Sequence, residues 1–266
     1  MSIIQGTAKG GGATSFYDYP IEQSLRFDGS SYLSRTPTTA GNQKTWTWSG
    51  WVKIIAGGRL FCTDTNTGSC TVGTNYTISF RFLKSGASEY DLITSSYYRD
   101  QSAWYHIVFR GDSTENLEED RMKIYVNGIT VNSFSTENYI TPDGISPFNS
   151  ITKHIIGAFV DATYPSGVAF FSGYLANMQF IDGQALDQYF FGEFKDNIWV
   201  PYNAFSTAGS GTATASDNDT ATDSYGTNGF HLTFEDGIES LPVGGYTGNQ
   251  NAFRDKSHNT NHWKIN

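Results

Sequence analysis

Few residues in the chain have the type and spacing that chemistry requires. His258 and His262 stand four apart in His-Asn-Thr-Asn-His, the spacing that offers two imidazoles to one zinc ion from a single helix face. The intervening asparagines read as a loop, and no third ligand follows. Glycoside hydrolysis needs two carboxyls about 5–9.5 Å apart across a bond. No strand carries acids at alternate positions to supply them. Glu115, Glu118, Glu119 and Asp120 cluster, but in a polar insert before Met122 that reads as a solvated charge run. There is no Ser-His-Asp order, no phosphate-binding Gly signature and no paired CxxC. His106 and His154 lie in strand-like segments and read as hydrogen-bonded structural histidines.

Aromatic residues offer a different chemistry, because a sugar ring stacks on an exposed π face. Tyr97, Tyr98, Tyr164 and Trp263 fall in loop-like sequence and are candidates for a glycan platform or, equally, for packing on a neighbouring subunit. Cys62 and Cys70 flank a turn-rich insert. They face each other in a disulfide across a hairpin or stand as two reduced thiols at a loop base; two cysteines alone do not choose.

The elements that position these residues are short strands. In Thr45-Trp-Thr-Trp-Ser-Gly-Trp-Val52, Trp46, Trp48 and Val52 share one face, while Thr45, Thr47 and Ser49 alternate with them. Trp51 falls out of phase and is assigned to the outer face. Further strands are expected at Ser24–Phe27, Ser31–Leu33, Tyr76–Leu83, Tyr90–Ile93, Trp104–Phe109, Met122–Val126, Ile129–Phe134, His154–Ala158, Ala169–Phe180 and Phe230–Phe234. Asn127-Gly128 accepts the positive φ angles of a two-residue hairpin turn. A single short helix is expected near Ala185–Phe191. Residues 1–20 read as an arm around Gly10-Gly11-Gly12, and residues 205–229 as a low-complexity tether; the sandwich is bounded at 21–204, with 230–266 packing on it or on a partner.

Composition narrows the function classes. Aromatics make up 15% of the 266 residues, enough to fill a large core, and the 28 glycines suit many turns. The net charge of −9 and the lack of a basic cluster argue against a nucleic-acid partner. No segment reaches the length of a membrane span. Met1–Thr14 lacks the apolar stretch of a signal peptide, so release by lysis is expected rather than secretion.

Four segments in order carry a resemblance: Ser24-Leu-Arg-Phe-Asp-Gly-Ser-Ser-Tyr-Leu33, Trp46-Thr-Trp-Ser-Gly-Trp-Val-Lys53, Trp104-Tyr-His-Ile-Val-Phe109 with Lys123-Ile-Tyr-Val-Asn-Gly128, and Phe171-Ser-Gly-Tyr-Leu-Ala-Asn-Met-Gln-Phe180. Over about residues 24–200 the chain resembles laminin-G-like, concanavalin-like jelly-roll modules. The resemblance implies an all-β fold, a two-sheet antiparallel sandwich. It also raises a calcium ion at the sandwich rim, for which Asp64, Asp161 and Asp182, with Asn66 and Asp187, supply hard oxygens. Tyr32-Leu-Ser-Arg-Thr-Pro37, Phe191-Gly-Glu-Phe194, Trp199-Val-Pro201, Tyr225–Phe234 and Asp255–Trp263 are similar to segments of marine tailed-phage virion proteins; His258 and Thr260 replace glycines of that last stretch. That similarity implies a non-enzymatic capsid decoration or tail-fibre protein at the virion surface. Its partners would be other virion proteins, further copies of itself (a trimer) and a host-surface glycan. A carbohydrate-binding adhesin outside any virion and, further off, a glycan hydrolase are the alternatives.

Overall fold

The twelve-residue strand Thr45–Ala56 shows how the pattern becomes architecture. Trp46, Trp48, Val52 and Ile54 are all fully buried in one core, and Thr47, Ser49, Trp51 and Lys53 point the other way. Gly50 sits between the indoles because a Cβ there would come within 2.8 Å of the Trp48 ring. The computed structural model describes residues 16–65, 67–83, 89–202, 225–235, 237, 239–242, 249–257 and 259–266. The Gly-rich start of the arm, most of the 205–229 tether, Asn66 and His258 lie outside the described residues.

Strands are numbered in chain order. The first sheet runs β1 (Leu25–Asp28), β13 (Ser172–Asp182), β3 (Thr45–Ala56), β8 (Tyr105–Asp112), β9 (Met122–Val126) and β10 (Ile129–Thr130). A seventh strand, β16 (Phe230–Leu232), pairs with the far half of β13, so β1 and β16 share one edge of it end to end. The second sheet runs β11 (Phe134–Asn138), β7 (Glu89–Thr94), β6 (Ile78–Leu83), β5 (Gly68–Val72), β4 (Gly58–Thr63), β12 (His154–Ile156), β2 (Leu33–Arg35), β19 (Trp263–Ile265), β18 (Asn249–Phe253) and β17 (Glu239–Pro242). Every strand pairing is antiparallel, as an all-β jelly-roll sandwich requires. A four-residue helix, α1 (Glu118–Arg121), stands in the acidic insert, and a 3-10 turn at Gln188–Phe190 takes the place of the expected short helix.

The core between the sheets is built largely of rings. Trp46 stacks on Phe180 at 5.7 Å and meets Phe148 and Phe80 edge-on at 4.9 and 5.5 Å. Each such pair adds about 0.5–1.5 kcal/mol beyond the area it buries. The turn after β9 has Asn127 at φ 49° and Gly128 at φ 77°, the primed geometry that Asn-Gly favours. The strand expected to run from Ile129 through Phe134 instead divides. Two residues pair with β9, and Phe134 onward crosses to the second sheet as β11.

The first sheet is covered on its outer face too. Residues 183–202 fold back over it, with the hairpin β14 (Gly192–Lys195) and β15 (Ile198–Pro201) at the end. Leu186, Phe191 and Tyr225 bury Val108, Tyr125 and Ile181 beneath them. This third layer explains why the outward residues Thr47 and Ser49 are buried although their strand alternates. Beyond its margin, residues 16–24 cross the same face, tied by the Asp18–Lys195 ion pair and by the Tyr19 hydroxyl donating to Asn177 Oδ1 at 3.2 Å.

Candidate functional site: a tryptophan-lined cavity on the outer face

The covering layer stops short of one region, and a cavity of about 420 Å³ opens there. Its floor is Trp51 of β3 and Ala176 of β13. One wall is Trp199 and Pro201 of β15, Trp104 stands at the mouth, and the opposite wall is the arm from Tyr17 to Ser24. Trp104 is 37% exposed, so its ring is offered to solvent. Mostly apolar lining with a few polar groups is the usual make-up of a small-molecule site, and this volume lies in the usual range of about 300–1,000 Å³.

Buried His106 fixes two of the three indoles. Its ring lies 5.0 Å from Trp51 and 5.8 Å from Trp199. Trp199 Nε1 donates to His106 Nδ1 at 3.0 Å, and His106 Nε2 lies 2.9 Å from Ser49 Oγ. An indole nitrogen only donates, so Nδ1 carries no proton and Nε2–H donates to the serine. Burial pushes the His106 pKa down to about 3, so the ring is neutral and acts as a mount rather than an acid or base. Trp51 Nε1 is buried with no hydrogen-bond partner. An unmet donor of this kind costs about 1–3 kcal/mol. The polar side chains of the arm wall are Glu22, Gln23, Ser24 and the Tyr17 phenol. Glu22 is the only carboxylate among the described residues of the lining.

The residues proposed from sequence fall elsewhere. Trp263 is 1% exposed; it belongs to β19 and packs edge-on against Phe230 at 4.9 Å, so it is a core residue and offers no stacking face. The Asn-rich stretch before it hid a three-residue strand, which enters the second sheet between β2 and β18. Tyr98 is half-buried against Tyr105. Tyr97 is exposed with the Arg99 guanidinium 4.3 Å over its ring, and Tyr164 is exposed beside Phe159. No ring contact joins Tyr97, Tyr164 and Trp263 into one platform among the described residues.

The calcium candidates separate as well. Asp182 Oδ1 accepts from the Asn42 backbone N–H at 2.8 Å and from Asn149 Nδ2 at 2.5 Å, and its Oδ2 accepts from the Asn228 backbone N–H at 3.0 Å. Both oxygens are engaged by protein donors. The half-buried Asp64 has its pKa raised, chiefly by burial and against the pull of Lys153. Asp161 Oδ1 caps the Thr163 and Tyr164 backbone N–H groups, and Asp187 Oδ1 caps that of Tyr189. These four aspartates do not make one site, and no group of three His, Cys, Asp or Glu among the described residues is placed to hold a metal. His262 Nδ1 accepts from the Asp255 backbone N–H at 3.0 Å.

The cysteines are neighbours in a hairpin but not across it. Cys62 pairs with Ser69 and Cys70 with Phe61, so one side chain points to the inter-sheet core and the other to the opposite face. Both are free, buried thiols; burial pushes the Cys62 pKa up to about 12 and that of Cys70 well above its usual value. A one-residue difference in register decides against the disulfide.

Sequence reasoning did not assemble the cavity. Its one visible signal was the out-of-phase Trp51, assigned to the outer face.

Comparison with known proteins agrees with this architecture. Residues 27–188 match the Laminin G 3 family model, of the concanavalin A-like lectin/glucanases superfamily. No curated protein matches the chain. Among solved structures, a Bacteroides ovatus protein named for carbohydrate binding superposes at TM-score 0.55 with 12% identity, covering 91% of this chain and 58% of its own. A heptameric pentraxin of Limulus polyphemus superposes at TM-score 0.45 with 20% identity, covering 61% of this chain and 76% of its own. The binding domain of Paraclostridial Mosquitocidal Protein 1 superposes at 0.42 with 11% identity, covering 91% and 88%. A family match over more than half the chain, on a sandwich with the strand pairing described above, places the protein in the laminin-G-type branch of the concanavalin A-like lectin/glucanases superfamily.

Proposed function

We propose that the protein is a non-enzymatic structural component of a phage particle, carried as a capsid decoration or tail fibre, whose sandwich holds a host-surface glycan in the tryptophan cavity. The observation that carries the glycan reading is the cavity itself: three indoles around about 420 Å³, one of them standing 37% exposed at the mouth. Flat apolar rings receive the C–H faces of a pyranose, and the Glu22 carboxylate and Gln23 amide of the arm receive its hydroxyls. The carbohydrate-binding name of the Bacteroides ovatus relative supports the same reading. The virion setting is supported by the phage-type segments around Tyr32–Val52, Phe191–Pro201 and Tyr225–Phe234. Assembly as a homo-oligomer, a trimer, belongs to that setting.

Trp104→Ala tests the site with little risk to the fold, because the ring is partly exposed. Glycan-array hits of the wild type should weaken by about tenfold or more in the variant, roughly 1.4 kcal/mol or more, at an unchanged melting temperature. Equal binding by both proteins would exclude this cavity as the site. The virion setting is tested separately by mass spectrometry of purified particles, in which the chain should appear at a copy number fixed relative to the major capsid protein. Particles that lack it would end that part of the proposal.

A further inference from the structure

The outer face of the first sheet continues past the cavity into a row of cross-strand neighbours. Ser24, Ala176 and Trp51 line the cavity on β1's approach, β13 and β3. Two residues along each strand, and so on the same face about 6.5 Å away, come Arg26, Tyr174 and Lys53. The register places them directly side by side: Arg26 opposite Tyr174, and Tyr174 opposite Lys53. Trp104 follows one strand further on, next to Tyr105, which pairs with Val52. Its ring reaches back to 6.4 Å from that of Tyr174, which brackets Lys53 between two aromatics.

Both cations are uncommitted. Lys44, Arg81, Arg110, Lys123 and Lys195 all sit within 4 Å of a carboxylate, whereas neither Arg26 nor Lys53 does among the described residues. The nearest acid along β1, Asp28, turns its Oδ1 to the Ser30 and Ser31 backbone N–H groups and the Ser30 hydroxyl. In a chain of net charge −9, two cations on the strands either side of β13, with no ion pair among the described residues, form a local positive ledge beside an aromatic cavity.

Resting on the reading of the cavity as a glycan site, the geometry points to an acidic glycan: a sugar whose ring lies against Trp51 and Trp104 and whose carboxylate or sulfate reaches Arg26 and Lys53. The polarity of the site sets the orientation. Glu22 on the arm wall takes hydroxyl donors and repels the anion, which is thereby directed to the opposite end, where the ledge is. Arg26 supplies a planar fork for a carboxylate or sulfate, and Lys53 a second point charge.

An array printed with neutral, carboxylated and sulfated oligosaccharides tests this, using the full chain and the double variant Arg26→Ala/Lys53→Ala. These side chains lie on the outer face and make no ion pair among the described residues, so the variant should keep the wild-type melting temperature. The expected result is selective binding of acidic glycans, weakened about tenfold or more in the double variant and weakened for the wild type on raising salt from about 0.1 to 1 M. The carboxylated and sulfated arms identify which anion the ledge receives. Binding of neutral sugars that Trp104→Ala abolishes and Arg26→Ala/Lys53→Ala leaves intact would overturn the ledge while preserving the glycan site. Absence of any saturable glycan binding would overturn both.

Discussion

Acidification from about pH 7.5 to about pH 5.5 should remove about 4 kcal/mol of folding stability, through three histidines alone. His106, His154 and His231 are all buried, and burial pushes their pKa values down to about 3, about 3 and about 4. In the unfolded chain each returns to the ordinary value near 6.5. Below that value the unfolded state binds protons that the folded state refuses, so stability falls as pH falls. The penalty starts near pH 6.5 and is complete only below the folded pKa values. Over the stated interval each histidine contributes about 1.4 kcal/mol, and a further unit of acid takes the total to about 8 kcal/mol, comparable with the whole stability of an ordinary domain. The hydrogen bonds explain the resistance to protonation. His106 Nδ1 accepts from Trp199, and His154 Nε2 accepts from the Asn149 backbone N–H at 3.0 Å while its Nδ1–H donates to the Thr152 carbonyl. A second ring proton would set N–H against N–H in both. Urea titrations at the two pH values measure the loss, and His231→Gln, which keeps a donor to Asn177, should reduce the slope by about a third. Equal midpoints at both pH values would refute the account.

The same buried histidines show where sequence reading succeeds and where it ends. The strands and structural role of His106 and His154 followed from the strand patterning around Trp104–Phe109 and His154–Ala158, whereas no role was assigned to His231; the inward Trp46 and Trp48 followed from alternation in β3. Alternation is local information. It does not say which strand lies beside which, so Trp51, Trp104 and Trp199, far apart along the chain, gave no sign of sharing a cavity. Nor does it say what covers an outer face; Ser49 and Thr47 alternate like solvent-facing residues and are buried by the 183–202 layer. Cys62 and Cys70 turn on the phase of a pairing with a register shift between Arg59 and Phe61, which spacing alone does not encode. Trp263 went astray because three residues are too short a run for any periodicity to register.

Asp182→Ala should destabilise the protein by about 3–5 kcal/mol, more than a lost metal ligand at an exposed rim would. The carboxylate is 7% exposed and is the meeting point of three chain segments. Asn42 precedes β3, Asn149 precedes β12, and Asn228 lies in the turn before β16; each gives it one donor. Asn228 in turn donates to Asn149 Oδ1 at 2.9 Å and to the Thr39 carbonyl, which locks the three together. Two glycines make the room. A Cβ on Gly41 would come within 2.2 Å of Asp182 Oδ2, and Gly226, at φ +70°, passes so near that a Cβ would meet the Asp182 carbonyl at 2.3 Å. The charge matters as well as the bonds. Arg35 is buried enough for its pKa to fall to about 10, held up by Asp255 and Asp182, and it donates to Asn261 in the loop before β19. Removing Asp182 strands three donors and weakens the compensation of a buried guanidinium. The Tyr225–Leu232 and Asp255–Trp263 segments should then loosen first, seen as proteolytic cuts there at concentrations of denaturant that leave the wild type intact. Asp182→Asn keeps one acceptor oxygen and should lose about half as much. Stability of the wild type should be the same in calcium and in chelator at this position, because both carboxylate oxygens are already engaged by protein N–H groups. A loss below about 1 kcal/mol on Asp182→Ala would show that the polar layer is not what fastens the C-terminal strands to the sandwich.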